Sequence, residues 1–63
     1  MTTETKALAY RPNQAAAVLG IGRDKLFELL SAGEIRSFRE GRTRIIPALA
    51  LQEYIDRRMA EAS

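Results

Sequence analysis

Ala16-Ala17-Val18-Leu19-Gly20-Ile21-Gly22-Arg23-Asp24-Lys25-Leu26-Phe27-Glu28-Leu29 holds the spacing of two helices joined by a tight turn. Helices that cross steeply need a small residue where their backbones approach, and Ala16 stands there. The turn favours glycine, which reaches positive φ without strain, and Gly20 stands there. Ile21 is placed to plug the angle between the helices. Leu26, Leu29 and Leu30 then return the second helix to a shared core at i, i+3, i+4. The pattern is a helix-turn-helix, whose second helix commonly reads base edges in DNA.

Outward from that stretch, Arg11-Pro12 predicts the start of the first helix, because proline lacks the amide that a first helical turn leaves unused. This helix is expected over 12–19 with Ala15, Ala16 and Leu19 inward, and Tyr10 before it as a hydrophobic staple. The second helix is expected from Gly22 or Arg23 to Ser31 or Ala32, with Asp24 favoured in its first turn by the macrodipole and Gly33 as its left-handed stop. Glu34 to Arg39 reads as a half-buried strand, Glu40-Gly41-Arg42-Thr43 as a turn, and Arg44-Ile45-Ile46 as the returning strand. That hairpin is a candidate wing with a basic tip. Pro47 opens a last helix to about Ala60, in which Leu51, Ile55 and Met59 recur at i, i+4, i+8 as a core-facing stripe. Arg57 and Arg58 read as cations suited to that helix's carboxyl end and lie outside the candidate site. The fold class is therefore mainly α with a small β-hairpin: a winged helix-turn-helix of three helices plus wing. Residues 1–7 are expected to be a flexible N-terminus, 8–60 the folded domain and 61–63 a tail.

Sixty-three residues, 46% of them hydrophobic and 29% charged, make one small globular domain. A chain of this size buries about 60% of the surface its unfolded form exposes, so its core is compact and marginal. Cysteine and histidine are both absent, which excludes a disulfide framework and removes the usual ligands of a structural zinc. No cofactor is expected. No apolar run nears the roughly 20 residues of a membrane span, and the first residues lack a signal-peptide core, so a soluble cytoplasmic protein with no membrane partner is expected. An enzyme is disfavoured. Asp24 and Glu28 share one exposed helix face rather than a pocket, Ser31 and Ser37 have no base beside them, and Gly20-Ile21-Gly22 lacks the third glycine and leading strand of a dinucleotide fingerprint.

The net charge is only +2, but its distribution is uneven. Arg36, Arg39, Arg42 and Arg44 crowd around a single acid, Glu40, while Glu53, Asp56 and Glu61 gather toward the carboxyl end. Arginine dominates the basic residues, and its planar fork fits phosphate and the guanine edge. Arg23 and Lys25, in the first turn of the second helix, can reach bases or phosphates if that helix enters a groove end-on. Arg39, Arg42 and Arg44 flank a glycine turn on a hairpin thin enough to follow the backbone or enter a narrow minor groove, with Arg36 at its base.

The order Tyr10-Arg11-Pro12, Ala15-Ala16, Leu19-Gly20-Ile21, Leu26-Phe27, Gly33-Glu34-Ile35, Gly41-Arg42, Arg44-Ile45-Ile46-Pro47 and Leu51-Gln52-Glu53-Tyr54-Ile55 resembles the excisionase-type winged helix-turn-helix family. The resemblance covers residues 8 to about 56. That family is related to the MerR-type DNA-binding domains and occurs in phages, integrating plasmids and bacterial chromosomes. The resemblance implies a recognition helix in the major groove, beginning at Gly22, Arg23, Asp24 and Lys25, and a wing over Arg39 to Arg44 that includes Thr43. It also implies a backbone contact from Arg11 at the first helix start. Family members often carry serine or threonine where Gly22 and Arg11 stand, so both helix caps are weaker here. Asp24 stands where a polar or basic residue is frequent. An acid there repels phosphate, accepts from a cytosine amino group, or serves the helix dipole.

The resemblance implies a sequence-specific binder of double-stranded DNA. Its leading form is an excisionase that bends attachment-site DNA and recruits an integrase toward excision. A small MerR-like transcription regulator is the alternative, and a protein-interaction module on the same scaffold is the third reading. One copy contacts few base pairs, so cooperative self-association on DNA or joint binding with the recombinase is expected.

Overall fold

The computed structural model describes residues 8–62. Elements follow in the order β1 (Ala9–Tyr10), α1 (Pro12–Leu19), α2 (Arg23–Ser31), β2 (Phe38–Glu40), β3 (Thr43–Pro47) and α3 (Ala48–Ala62). The three helices and the β2–β3 hairpin are those the sequence predicts. The expected flexible segment 1–7 lies outside the described residues.

Both helix ends of the central motif close as the glycines require. Gly20 adopts φ 75°, and the Gly20 and Ile21 amides return to the carbonyls of Ala17 and Ala16 at 3.2 and 3.0 Å. Gly33 does the same for α2 at φ 77°, with its amide on Leu30 and that of Glu34 on Leu29. Each is a Schellman closure, in which a left-handed residue lets two amides satisfy orphan carbonyls of the last turn. Between the two stops, α1 and α2 bury Ala15, Ala16, Leu26, Leu29 and Leu30 in a shared core with Ile35, Ile46, Ala50 and Leu51. Ile21 packs half-buried against this cluster, as the angle-filling role demands. Leu26, Ile35 and Ile46 are the largest side chains fully removed from water, each worth about 1.5–3 kcal/mol of transfer free energy.

The sheet differs from expectation in two ways. A third strand is present: Ala9 and Tyr10 pair antiparallel with Pro47 and Ile46, and the Ala48 amide donates to the Leu8 carbonyl at 2.9 Å. Sheet order is β1-β3-β2, so Tyr10 serves as a ladder residue packed on the core as well as the residue before the α1 cap. The second difference is that residues 34–37 are not strand. Phe38, Arg39 and Glu40 pair with Ile45, Arg44 and Thr43. Continuing that register past Ser37 would set Arg36 against Pro47, which has no amide to donate, and residues 34 and 35 against the opening turn of α3. The chain instead leaves the ladder, and Ile35 drops into the core at 2% exposure. Glu40 belongs to the strand, and the turn contracts to Gly41-Arg42, with Gly41 at φ 65°.

The α3 stripe is also corrected. Leu51 is buried, but Ile55 is 37% and Met59 66% exposed. The helix is about 22 Å long at 1.5 Å per residue and outruns the small core, so only Ala50, Leu51 and half-buried Tyr54 face inward. Because α3 continues to Ala62, Arg57 and Arg58 lie before its last turn and are not dipole partners. Arg57 Nη2 donates to the Glu34 carbonyl at 2.6 Å and to Glu34 Oε1 at 3.1 Å, tying α3 to the α2 exit. Arg58 pairs with Glu61 at 3.1 Å.

Candidate nucleic-acid interface

Gly22 caps α2 in an extended conformation, φ −73° and ψ 158°, and offers no side-chain acceptor to the first-turn amides. Arg23, Asp24 and Lys25 follow in the first turn, all exposed. Burial of Leu26, Leu29 and Leu30 turns Asp24 away from the core and leaves Arg23 and Lys25 on the two flanks of the helix. The Arg23 guanidinium lies over the Phe27 ring, 5.4 Å from its centroid, which holds its stem while leaving the fork's edge free. Lys25 Nζ stands 3.6 Å from Glu28 Oε1. Asp24 makes no ion pair and no side-chain hydrogen bond among the described residues.

On the wing, Arg39 and Arg44 are directly opposed across the β2–β3 ladder. Directly opposed residues share one face of the sheet, and like charges in that position destabilise the pair. Arg44 is half-buried and its Nη1 donates to Ser37 Oγ at 2.7 Å. Arg39 is exposed, with no ion pair or side-chain hydrogen bond among the described residues, and Arg42 stands in the same state at the turn. Thr43 opposes Glu40 on the other face. Arg36 lies in the irregular segment before β2, where its Nε is 3.7 Å from Glu53 Oε1 on α3.

Arg11 is the N-cap residue of α1. Its amide donates to Gln14 Oε1 at 3.0 Å, but its guanidinium, a donor only, caps no amide and makes no ion pair among the described residues. The candidate cations therefore fall into three sets. Among the described residues Arg11, Arg39 and Arg42 are unpaired, Arg23 and Arg44 are held by the neutral groups of Phe27 and Ser37, and Lys25 and Arg36 are held by carboxylates. Those carboxylates, Glu28 and Glu53, and the supporting Ser37 and Phe27, were not singled out from sequence as shaping the interface. The Lys25–Glu28 contact has a legible signal in its i, i+3 spacing. Arg36–Glu53 joins distant segments and leaves none.

Away from this surface, Leu19, Ile21, Tyr54, Ile55 and Met59 line a shallow apolar groove between the α1 exit and α3. Among the described residues no group of histidine, cysteine and acidic side chains could hold a metal ion. No helix among them is long and apolar enough to cross a membrane.

The model of the family described as "Helix-turn-helix domain" matches residues 9–59. Over 50 residues the chain is 46% identical to a "Probable excisionase" of Saccharopolyspora erythraea, a match covering 79% of this chain and 51% of that protein. The chain thus spans about half the length of this curated relative. No solved structure matches it.

Proposed function

From the premise that this chain belongs to the helix-turn-helix domain family, in its excisionase type, we propose that it binds double-stranded DNA sequence-specifically and acts as an excisionase. The α2 start, Gly22 to Lys25, enters the major groove. The wing, through Arg36, Arg39, Arg42, Thr43 and Arg44, follows the neighbouring backbone or minor groove, and Arg11 holds a phosphate at the α1 start. Bound copies bend attachment-site DNA and recruit an integrase toward excision, associating cooperatively because one copy reads too few base pairs for high specificity.

The observation that carries this reading is the Arg39–Arg44 opposition at the wing. Two cations face each other where a folding-optimised hairpin would place opposite charges or β-branched residues. A polyanion lying along that face turns the repulsion into a phosphate clamp.

The test is a footprint of the purified protein on its own locus, with salt titrated to the physiological range. Protection of repeated sites beside a recombination core, and altered gel mobility of a bent complex, is the expected result. Protection confined to a promoter would replace the excisionase role by transcription regulation. Absence of any specific footprint would leave the scaffold as a protein-interaction module.

A further inference from the structure

The outermost ridge of α2 is acidic. With Leu26, Leu29 and Leu30 buried, the helical repeat of about 100° per residue puts Asp24, Glu28 and Ser31, at i, i+4 and i+7, diametrically opposite the core. A helix laid in the groove of a polyanion presents this ridge to the bases, and two carboxylates there must each be met by a donor or be repelled. Glu28 has its donor in Lys25, at 3.6 Å. Asp24 has none among the described residues: the neighbouring Arg23 lies over Phe27, and no ion pair or side-chain hydrogen bond among them engages Asp24. It does not cap α2 either, since the cap position is Gly22 and no side-chain cap bond is made.

Resting on the reading of α2 as the groove-entering helix, we infer that Asp24 is a specificity-determining residue that selects cytosine. An ionised carboxylate only accepts hydrogen bonds. In the major groove guanine presents O6 and N7, and thymine O4, all acceptors that reject it. Adenine sets its amino group beside the N7 acceptor. The cytosine N4 amino group is the donor a single carboxylate fits. Repulsion between Asp24 and phosphate is the same for every sequence, whereas acceptance from N4 occurs at one base. The residue therefore lowers affinity for DNA in general and spares the cognate site, which is specificity by rejection.

The experiment selects duplexes from a randomised library with the full chain and with its Asp24→Asn and Asp24→Ala variants. Affinities are then measured on the selected site and on the same site with the chosen C·G pair changed to T·A. The wild-type chain is expected to lose roughly five- to 150-fold on that change. Both variants should lose less than about twofold, while binding the T·A duplex more tightly than the wild type does. Unchanged helical circular dichroism certifies their fold. Retention of the wild-type base preferences by both variants would overturn the inference and leave Asp24 as a partner of the helix dipole. Selection of no sequence by the wild-type chain would instead overturn the DNA reading itself, and this inference with it.

Discussion

Gly20 and Gly22 are two residues apart, yet the backbone asks opposite things of them. Gly20 holds φ 75°, a left-handed conformation, whereas Gly22 holds φ −73° at the α2 cap, where any residue fits. A Cβ at either position meets no atom within 4 Å, so conformation rather than space decides the outcome. Gly20→Ala should destabilise the fold by about 1–2 kcal/mol, lowering Tm by roughly 4–8 °C per kcal/mol in a domain of this size. Gly22→Ser should raise stability by a few tenths of a kcal/mol, because its hydroxyl can accept from the uncapped first-turn amides. Thermal melts of the two variants check both signs, and a neutral Gly20→Ala would contradict the Schellman closure. This residue-scale chemistry was the most legible part of the sequence. The stops at Gly20 and Gly33 and the starts at Pro12 and Arg23 depend on neighbours within a few positions, so local reading reached them.

Elements were legible in proportion to how locally they are specified. The two helices of the central motif and the β3 return strand stand where their patterns put them. The two-residue β1 has no periodicity to read and exists because β3 offers a free edge to Ala9 and Tyr10. The length of β2 is overestimated because alternation in Glu34 to Arg39 cannot reveal that Arg36 would face Pro47, which lacks an amide, and that residues 34 and 35 would face a helix. The α3 stripe was misjudged for a related reason: periodicity shows a face but not how far the core extends beneath it. Two predictions belong at this scale. Arg39→Thr removes the like-charge opposition with Arg44 and places a β-branched residue in the ladder. It should stabilise the fold by about 0.2–1 kcal/mol while weakening DNA binding and reducing the salt slope by about 1. Chemical denaturation and a salt titration on the same variant read the two effects separately. If stability falls, the Arg39–Arg44 pair is not a strained one. The second concerns the tie between α3 and the α2 exit, where Arg57 donates to both the carbonyl and the carboxylate of Glu34 and lies 5.8 Å from the Tyr54 ring centroid. Arg57→Ala should cost about 1 kcal/mol, as both bonds and the ring contact go. Glu34→Ala should cost a few tenths, since the pair is half-exposed and the carbonyl bond survives. Equal losses in denaturant midpoint would show that the carboxylate alone carries the contact.

At the scale of the whole molecule, the domain is a plate of 38 × 32 × 18 Å with a radius of gyration of 12.4 Å, against about 10 Å for a compact chain of its described length. The excess fits a wing and an α3 end that extend past a single thin core, exposing cations at the edges rather than around a pocket. Sequence reading identified the basic residues as a set, but pairing between distant segments, such as Arg36 with Glu53, was beyond it, and pairing governs how they meet a polyanion. Each phosphate neutralised contributes about −0.9 to the slope of log affinity against log salt. Among the described residues Arg11, Arg39 and Arg42 are unpaired and Arg23 and Arg44 carry no acidic partner, so a slope of about −4 to −5 is expected from these. Arg36 joins only by leaving Glu53, an exposed pair at 3.7 Å worth less than about 1 kcal/mol. Glu53→Gln removes both that competitor and a negative charge near the interface while leaving every proposed DNA contact in place. It should tighten binding by roughly two- to fivefold at low salt, with a steeper slope by up to about 1 and little change in thermal stability. Isothermal titrations at several salt concentrations, run on both proteins with one duplex, measure this directly. Equal affinity and equal slope would place Arg36 outside the bound surface and confine the wing's contribution to Arg39, Arg42 and Arg44.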